Sequence, residues 1–227
     1  MYKNMICLKR PASLSPDQFS LRLQEYLQGF CNRFAQLSLA VVDAGVAAAT
    51  PSAMVRSSHP NDAVVSVWCE HILGLEDFVS GLDAIAAARQ SYAVVEMIPK
   101  GIARQPGRVA GMCQIAFLQM PPRLAREEWL KIWLQSHTQV AIETQSTFSY
   151  RQNIVATPES GGEWPQYDAI VEENFPAAAL TDRLAFFAAS GDKEKFRKNQ
   201  DRMVESCLRF IDFDRFECVP MSEYILK

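Results

Sequence analysis

Several features that would narrow the function at once are missing from this chain. No apolar run reaches the roughly 20 residues that a membrane-spanning helix needs. Lys and Arg (23) do not outnumber Asp and Glu (26), so the net charge is -3, and no basic stripe alternates with aromatic residues as in nucleic-acid-binding proteins. The sequence therefore predicts a protein that binds neither membranes nor nucleic acids.

Cysteine and histidine are also poorly arranged for disulfides or metal sites. The six cysteines include no CxxC pair, and the N-terminus lacks the apolar core of a signal peptide, so we expect reduced thiols in a cytoplasmic protein. The three histidines, His59, His71 and His137, fall on different predicted elements. Because a zinc site needs about four ligands, no metal and no cofactor is predicted.

The chain contains a repeated order of strands and helices. Apolar periodicity over the 227 residues predicts β-α-β-β-α-β twice, which is the ferredoxin-like unit. Residues 1–99 form the first predicted repeat, 100–111 a linker rich in Gly, Pro and basic residues, and 112–227 the second repeat. The predicted fold is α+β, with two tandem ferredoxin-like repeats that form a pseudo-twofold dimeric α/β barrel.

The two halves can be aligned residue by residue. A shift of 110 places Phe19 on Trp129 and Leu27 on His137, and a shift of 106 places Asp62 on Asp168. Each predicted sheet has helices on one face only, so the two sheets are expected to cover each other's open faces. We expect the ligand cavity in the space between the two sheets.

An amphipathic helix over residues 126–142 carries the main functional candidate. Its apolar face comprises Trp129, Leu130, Trp133, Leu134, His137 and Ala141. A histidine in such a face needs a partner, because an unsatisfied buried polar group costs about 1–3 kcal/mol. Leu27 at the matching position shows that the repeat does not require histidine there. His137 is either a core residue bonded to a carbonyl or a general acid/base, and the nearby helix C-terminus favours its protonated form.

Two further residues are candidates for catalysis. Tyr150 on the next strand has a phenol that could orient a substrate oxygen or stabilise an oxyanion, although an aromatic ring there could equally fill the barrel. Asp168 could orient His137. Because Asp62 occupies the equivalent place in the half without a histidine, a role of Asp168 at the start of its strand is an equal alternative.

Four side chains are candidates for substrate binding. Trp133 and Phe148 would supply aromatic surface, and Arg151 would hold a carboxylate or enolate unless it is simply solvated. Glu172 and Glu173 alternate along one strand, so only one of them faces the cavity. We assign Glu172 to the substrate site, and an inward-facing glutamate would be a second group for proton transfer.

These residues together resemble the EthD family of dimeric α/β-barrel proteins. The similar segments are Glu128, Trp129, Trp133 and His137 on the helix, Tyr150-Arg151-Gln152-Asn153 and Tyr167–Glu172 on strands, then Asp201 and Phe210-Ile211-Asp212. The resemblance covers about residues 112–220. Family members are usually single repeats that pair as homodimers, so this chain is similar to a fused dimer, and further pairing into a homodimer stays open. The chain lacks the GxxDG-like segment of haem-binding relatives.

The resemblance implies a cofactor-independent enzyme of aromatic or polyketide metabolism. Such enzymes include cyclases, dehydratases, decarboxylases and quinone-forming monooxygenases. We therefore predict an enzyme, of lyase or cyclase type or a cofactor-free monooxygenase, that binds a small aromatic or polyketide-like apolar molecule. In the first case His137 abstracts a proton before cyclisation, dehydration or elimination. The alternatives are a non-catalytic carrier or sensor and a solidly packed interaction module.

Overall fold

The first half of the chain folds as one ferredoxin-like unit. The computed structural model describes residues 1–49, 54, 61–70, 75–158 and 164–227. The elements of this half are β1 (Tyr2–Lys9), α1 (Pro16–Gln28), β2 (Gln36–Val41), β3 (Ala63–Cys69), α2 (Glu76–Asp83) and β4 (Ala88–Lys100), with a short 3-10 helix at Ala44–Val46. Helix α1 begins at a capping box between Ser15 and Gln18, with Pro16 in its first turn.

The second half repeats this order with additional helices. Its elements are β6 (Met112–Leu118), α3 (Arg126–Lys131), a π-helical segment (Ile132–His137), α4 (Thr138–Thr144), β7 (Ser149–Pro158), β8 (Ala169–Phe175), a 3-10 helix (Ala177–Leu180), α5 (Arg183–Phe186), α6 (Lys193–Phe210) and β9 (Glu217–Ile225). The short strand β5 (Gly107–Arg108) lies within the predicted linker and pairs with β9. The division into domains stays a prediction. No helix in the described part of the chain is both long enough and apolar enough to cross a membrane.

The strands of the two halves join into one closed barrel. In the described residues eight antiparallel strands follow the order β2-β3-β1-β4-β7-β8-β6-β9, and β9 pairs with β2 to close the ring. Each half contributes four consecutive strands in the same internal order, so the halves meet at two seams, β4–β7 and β2–β9. The predicted fold class is therefore confirmed.

Strand register confirms the alignment of the two halves. Leu8 pairs with Ala63 in the first half, and Leu118 pairs with Ala169 in the second. These pairs differ by the same shifts of 110 and 106 that the sequence predicts. Strand residues of the two halves that are related by these shifts can therefore be compared as structural equivalents.

The interior of the barrel is packed with side chains. Its apolar part contains Met5, Cys7, Val64, Tyr92, Cys113, Ile115, Phe117, Tyr167, Val219 and Met221, all buried in one cluster. An ion network fills another part: Lys3 contacts Glu96 and Glu172 at 2.8 and 2.6 Å. Eight strands give a barrel only wide enough for side chains to fill. The expectation of a ligand cavity between the two sheets was wrong.

The outer face of each sheet packs against the helices of its own half. We call these two interfaces the first layer, between the first sheet and α1 and α2, and the second layer, between the second sheet and the helices α3 to α6. The first layer is hydrocarbon: Phe19, Leu23, Leu27, Phe78 and Leu82 are fully buried there. Within the described residues, the second layer contains a cavity.

A candidate active site between the second sheet and its helices

A cavity of about 740 Å³ lies in the second layer. Its aromatic walls are Trp133, Tyr150, Phe186, Phe187, Phe210, Phe213 and Phe216, and its polar side chains include Gln114, His137, Gln145, Glu173 and Arg183. A volume of this size accommodates a small organic molecule. Of the seven residues predicted for the site, the structure brings His137, Tyr150 and Trp133 to this cavity.

A local change in helix type presents Trp133 and His137. The sequence predicts one regular α-helix over residues 126–142, but residues Ile132–His137 form a π-helical segment between α3 and α4. The backbone N–H of Thr138 bonds the carbonyl of Trp133, five residues earlier. Such π turns are rare and frequently occur at functional sites.

His137 is a neutral imidazole in an apolar wall. Its side chain is buried, its ring contacts Phe210 at 4.6 Å between centroids, and Nδ1 lies 3.0 Å from the Ser206 hydroxyl oxygen. Burial, with a smaller effect of the Arg209 charge, lowers the pKa of His137 to about 4. The sequence-based expectation that the helix C-terminus favours protonation was therefore wrong, because burial outweighs the dipole.

The neighbours of His137 select its tautomer. Arg209, which can only donate, donates to the Ser206 oxygen at 3.0 Å. The Ser206 O–H is then available to donate to Nδ1 of His137, an arrangement that favours the tautomer with the ring proton on Nε2. No described residue bonds Nε2. The wall of the cavity thus offers a neutral N–H donor whose orientation is fixed from helix α6.

Glu173 is the most perturbed carboxyl group of the cavity. It is 6 % exposed on β8, and no described residue donates a hydrogen bond to it; Oε1 is buried without a partner. Burial alone raises the pKa of Glu173 to about 8. Strand pairing places it opposite Tyr150 on β7 and Gln114 on β6, where side chains lie about 5 Å apart. A carboxyl that titrates near neutral pH is a candidate acid or base.

Tyr150 and Trp133 add two hydrogen-bond donors beside Glu173. Burial and the Glu173 charge raise the pKa of the Tyr150 phenol well above its ordinary value, although the nearby Trp133 N–H and Thr138 hydroxyl oppose this rise. Tyr150 therefore keeps its proton at any physiological pH. The indole N–H of Trp133 is buried and lies near the Tyr150 oxygen, but it makes no hydrogen bond of regular geometry within the described residues. These donors face a cavity whose walls are otherwise mainly hydrocarbon.

Asp168 is not part of this cavity. Its carboxylate accepts a hydrogen bond from the Met120 backbone N–H at 2.7 Å and pairs with Arg126 at 3.3 Å. Asp62 makes the equivalent bond to the Arg10 N–H at 2.8 Å. The hypothesis that Asp168 orients His137 is contradicted by these contacts, and the alternative of a structural role at the start of the strand describes both residues.

Three of the predicted substrate-binding residues also lie elsewhere. Arg151 and Glu172 face the barrel interior, where Arg151 pairs with Glu172 at 3.2 Å and with Glu223 at 2.7 Å. Although burial opposes it, contact with Arg151 and Lys3 lowers the pKa of Glu172 to about 2. Phe148 is half-buried and does not line the cavity. Assigning Glu172 to the substrate site was therefore wrong, and its neighbour Glu173 is the glutamate in the cavity.

Two residues of the site were not assigned to it from the sequence, Glu173 and Ser206. Glu173 was identifiable only as one of two alternating glutamates, since the pattern does not say which face of the strand meets the cavity. Ser206 carried no signal, because its helix has no counterpart in the first half.

The first layer holds leucine or valine where the second has three of its polar groups, and an asparagine where the second has a glutamine. Register and helix alignment place Asn4, Leu27, Leu37 and Val67 at the positions of Gln114, His137, Tyr150 and Glu173. His137, Tyr150 and Glu173 are therefore specific to the half that has the cavity. The fold itself forms without them.

The described residues contain no group of three or more His, Cys, Asp or Glu side chains that could hold a metal ion. His59 and His71 lie outside the described residues.

Comparison with known proteins gives structural neighbours only. No protein-family model and no curated protein matches the chain. An anthrone oxidase-like protein of known structure superimposes with a TM-score of 0.58 and 8 % identity over 99 % of this chain and 90 % of the other. A candidate monooxygenase from Fusobacterium nucleatum subsp. nucleatum gives 0.52 and 9 % identity, over 100 % and 92 %. At this identity the likeness extends to the fold.

Proposed function

We propose that this protein is an EthD-like enzyme that removes a proton from a small hydroxylated or keto-bearing aromatic molecule bound in the second-layer cavity. The observation that carries the proposal is the Glu173 carboxyl: it is buried, has no hydrogen-bond donor among the described residues and has a pKa of about 8. A buried carboxyl without a partner costs free energy. Such a cost is typical of a group that works on a ligand.

In the proposed reaction the ionised Glu173 is the base. Its carboxylate takes the proton from an acidic C–H or O–H of the substrate, and the electron pair stays on the substrate and spreads onto its carbonyl or phenolic oxygen. The Nε2–H of His137 and the O–H of Tyr150 donate hydrogen bonds to that oxygen. Preorganised donors in a site without bulk water stabilise developing negative charge strongly. This assignment gives His137 the role of a donor, because its pKa of about 4 leaves it neutral.

The cavity walls define the class of substrate. Trp133, Phe210 and Phe216 provide flat apolar surfaces, and on the sheet side Gln114 and Tyr150 lie opposite Glu173. An aromatic molecule of two or three rings, with oxygen substituents at one end, satisfies both regions. Burying each ring of such a molecule removes apolar area from water, which is worth roughly 25 cal/mol per Å².

Oxidation by O₂ is the second candidate outcome of the same proton transfer. Both structural neighbours carry oxidase or monooxygenase names. The carbanion formed by Glu173 would react with O₂ without a cofactor. For a ring CH₂ group the balance is CH₂ plus O₂ giving C=O plus H₂O. Both C–H bonds of that one carbon break, the carbon is oxidised by four electrons, and O₂ accepts them, with one oxygen atom entering the carbonyl and the other leaving as water. Without O₂ the same carbanion would cyclise or eliminate.

A substrate panel in air and under nitrogen tests the proposal. Anthrone, naphthols and hydroxylated anthraquinones are incubated with the protein while absorbance and dissolved O₂ are recorded between pH 6 and 9. We expect turnover of at least one compound, with a rate that rises through a pKa near 8 as Glu173 ionises. O₂ consumption identifies the monooxygenase, and turnover under nitrogen identifies the non-oxidative reaction.

Two variants separate catalysis from binding. Glu173→Gln keeps the shape of the carboxyl but not its base, and we expect turnover to fall at least about 100-fold. Glu205→Gln removes an exposed carboxylate from α6 and should change nothing. Equal turnover of Glu173→Gln and the parent would refute the proposal. Binding of panel compounds without any product would instead identify a carrier.

A further inference from the structure

The π-helical segment is held by a chain of three groups. The Trp133 carbonyl accepts the Thr138 backbone N–H and also the Thr138 hydroxyl at 2.9 Å. The amide of Gln152 on β7 donates to that hydroxyl oxygen at 2.7 Å. Both side chains are buried. The sheet is thus connected directly to a carbonyl of the segment in which the helix departs from regular α-geometry.

The first half shows what the fold does without this connection. Helix α1 is α-helical over its full length, Pro16–Gln28. The sequence shift of 110 places Gln28 at the position of Thr138, and strand register places Leu39 at the position of Gln152. Leu39 is fully buried in hydrocarbon. A polar pair at this place is therefore not needed to dock the helix on the sheet.

We propose that Thr138 and Gln152 are positioning residues that keep the π turn in place, and that this turn aims Trp133 and His137 into the cavity. The inference rests on the proposed function for its catalytic meaning, while its geometric part stands separately. The π turn adds one residue to a helical turn. An α-helix advances about 100° per residue. If the segment returned to α-helical geometry, the side chains that follow the turn would therefore rotate by about that angle.

Such a rotation would separate His137 from Ser206. The contact of 3.0 Å between Nδ1 and the Ser206 oxygen holds the ring in place and favours the tautomer with the proton on Nε2. A helix that returned to regular geometry would leave that donor misdirected. The indole of Trp133, one turn earlier, stays buried but its carbonyl reverts to an ordinary helical bond.

Four single variants test the inference. Thr138→Val removes only the hydroxyl, and Gln152→Leu copies the residue of the first half. Thr138→Ser restores the hydroxyl and is the rescue variant. Thr144→Val is the matched control, because Thr144 also donates its hydroxyl to a backbone carbonyl of the same helix, that of Val140 at 2.7 Å, but lies outside the π turn.

The primary measurement is the imidazole of His137 by ¹⁵N NMR, assigned with His137→Gln. In the parent protein, Thr138→Ser and Thr144→Val we expect the Nε2–H tautomer and titration near pH 4. In Thr138→Val and Gln152→Leu we expect mixed tautomers and a titration at least one pH unit higher. Turnover of a panel substrate should fall about tenfold in these two variants, in kcat more than in KM.

The outcomes separate the inference from the proposed function. An unchanged His137 signal in both Thr138→Val and Gln152→Leu overturns the inference, whatever the activity. A changed signal with unaltered turnover of a genuine substrate supports the positioning role and refutes the part of the proposed function that uses His137. If Gln152→Leu unfolds, Thr138→Val decides the question, since it removes a single hydroxyl and keeps the volume.

Discussion

The two layers of this molecule have the same topology and opposite contents. In the first layer Leu27 of α1 packs onto Leu37 and Val67 of the sheet, and all three are fully buried in hydrocarbon. In the second layer the equivalent residues are His137, Tyr150 and Glu173, which line a cavity of about 740 Å³. The comparison teaches that the scaffold tolerates a solid apolar interface at these positions, so the polar residues of the second layer require a separate explanation.

The cavity also depends on elements that the first half lacks. Helix α6 supplies Met203, Ser206, Cys207 and Phe210 to the second layer, and α5 together with the preceding 3-10 helix supplies Phe186 and Leu180. The first layer is covered by α1 and the short α2, whose Phe78 and Leu82 fill the interface. Insertion of helices and exchange of a few core residues therefore act together to make room for a ligand.

The largest expected effect concerns Glu173 and pH. The pKa of Glu173 in the folded protein is about 8, above the ordinary 4.5, so the folded state holds this proton more tightly than the unfolded state. The resulting stabilisation is complete below pH 4.5 and is lost as the pH rises through 8. We expect the free energy of unfolding of the parent to fall by up to about 4 kcal/mol between pH 5 and 9 relative to Glu173→Gln. Urea unfolding of both proteins across this range is the measurement. Parallel curves would show that Glu173 is not buried as described.

The second prediction makes the second layer more like the first. His137 has a folded pKa of about 4, below its ordinary 6.5, so its contribution to stability is present above pH 6.5 and is lost as pH falls through 4. His137→Leu copies Leu27 and removes this acid sensitivity. On going from pH 7 to pH 4, we expect the free energy of unfolding of the parent to fall by about 3 kcal/mol more than that of the variant. Urea unfolding measures this difference, and His137→Gln is the polar control. An equal loss of stability in acid would contradict the burial of His137.

The third prediction reverses the exchange. Leu27→His places an imidazole among Phe19, Leu23 and Phe78, which leave no polar partner in the described first layer. We expect destabilisation of about 2 kcal/mol at pH 7 from lost packing and an unpaired ring nitrogen. Thermal and urea unfolding measure it, and Leu21→His, at an exposed position of the same helix, is the control. A stable Leu27→His variant would remove the distinction between the layers.

The smallest expected effect concerns a contact that both halves share. Asp62 and Asp168 each cap the end of the neighbouring strand through a backbone N–H, at 2.8 and 2.7 Å. We expect Asp62→Ala and Asp168→Ala each to cost about 1 kcal/mol of stability, with unchanged turnover of any panel substrate. A selective loss of turnover in Asp168→Ala would restore Asp168 to the catalytic site.

The fold was largely readable from the sequence because its signals are local and repeated. Strand and helix periodicity, the Ser15 capping box and the constant offset between Leu8 and Leu118 all point to two copies of one unit. Topology then follows, since each sheet has one face without helices. The sequence does not show how wide the closed barrel is, and side chains such as Met5 and Ile115 fill it.

The site was harder to predict because it depends on three-dimensional partners. Alternation shows that Glu172 and Glu173 face opposite ways. The structure adds that Glu172 meets Lys3 and Arg151, whereas Glu173 meets no cation in the described part of the chain. Adjacent residues therefore have pKa values near 2 and 8. The π turn at Trp133 was equally invisible, because the hydrophobic pattern of the helix is regular.

The seams β4–β7 and β2–β9 have a consequence for how such a protein can evolve. A barrel assembled from two separate copies is symmetric, and any mutation appears in both at once. Here the segment between β4 and β6 makes closure an intramolecular event, so the barrel is insensitive to dilution. Each copy can also mutate alone. One half can then serve mainly to stabilise the barrel. The other half can therefore retain buried polar groups that cost free energy of folding.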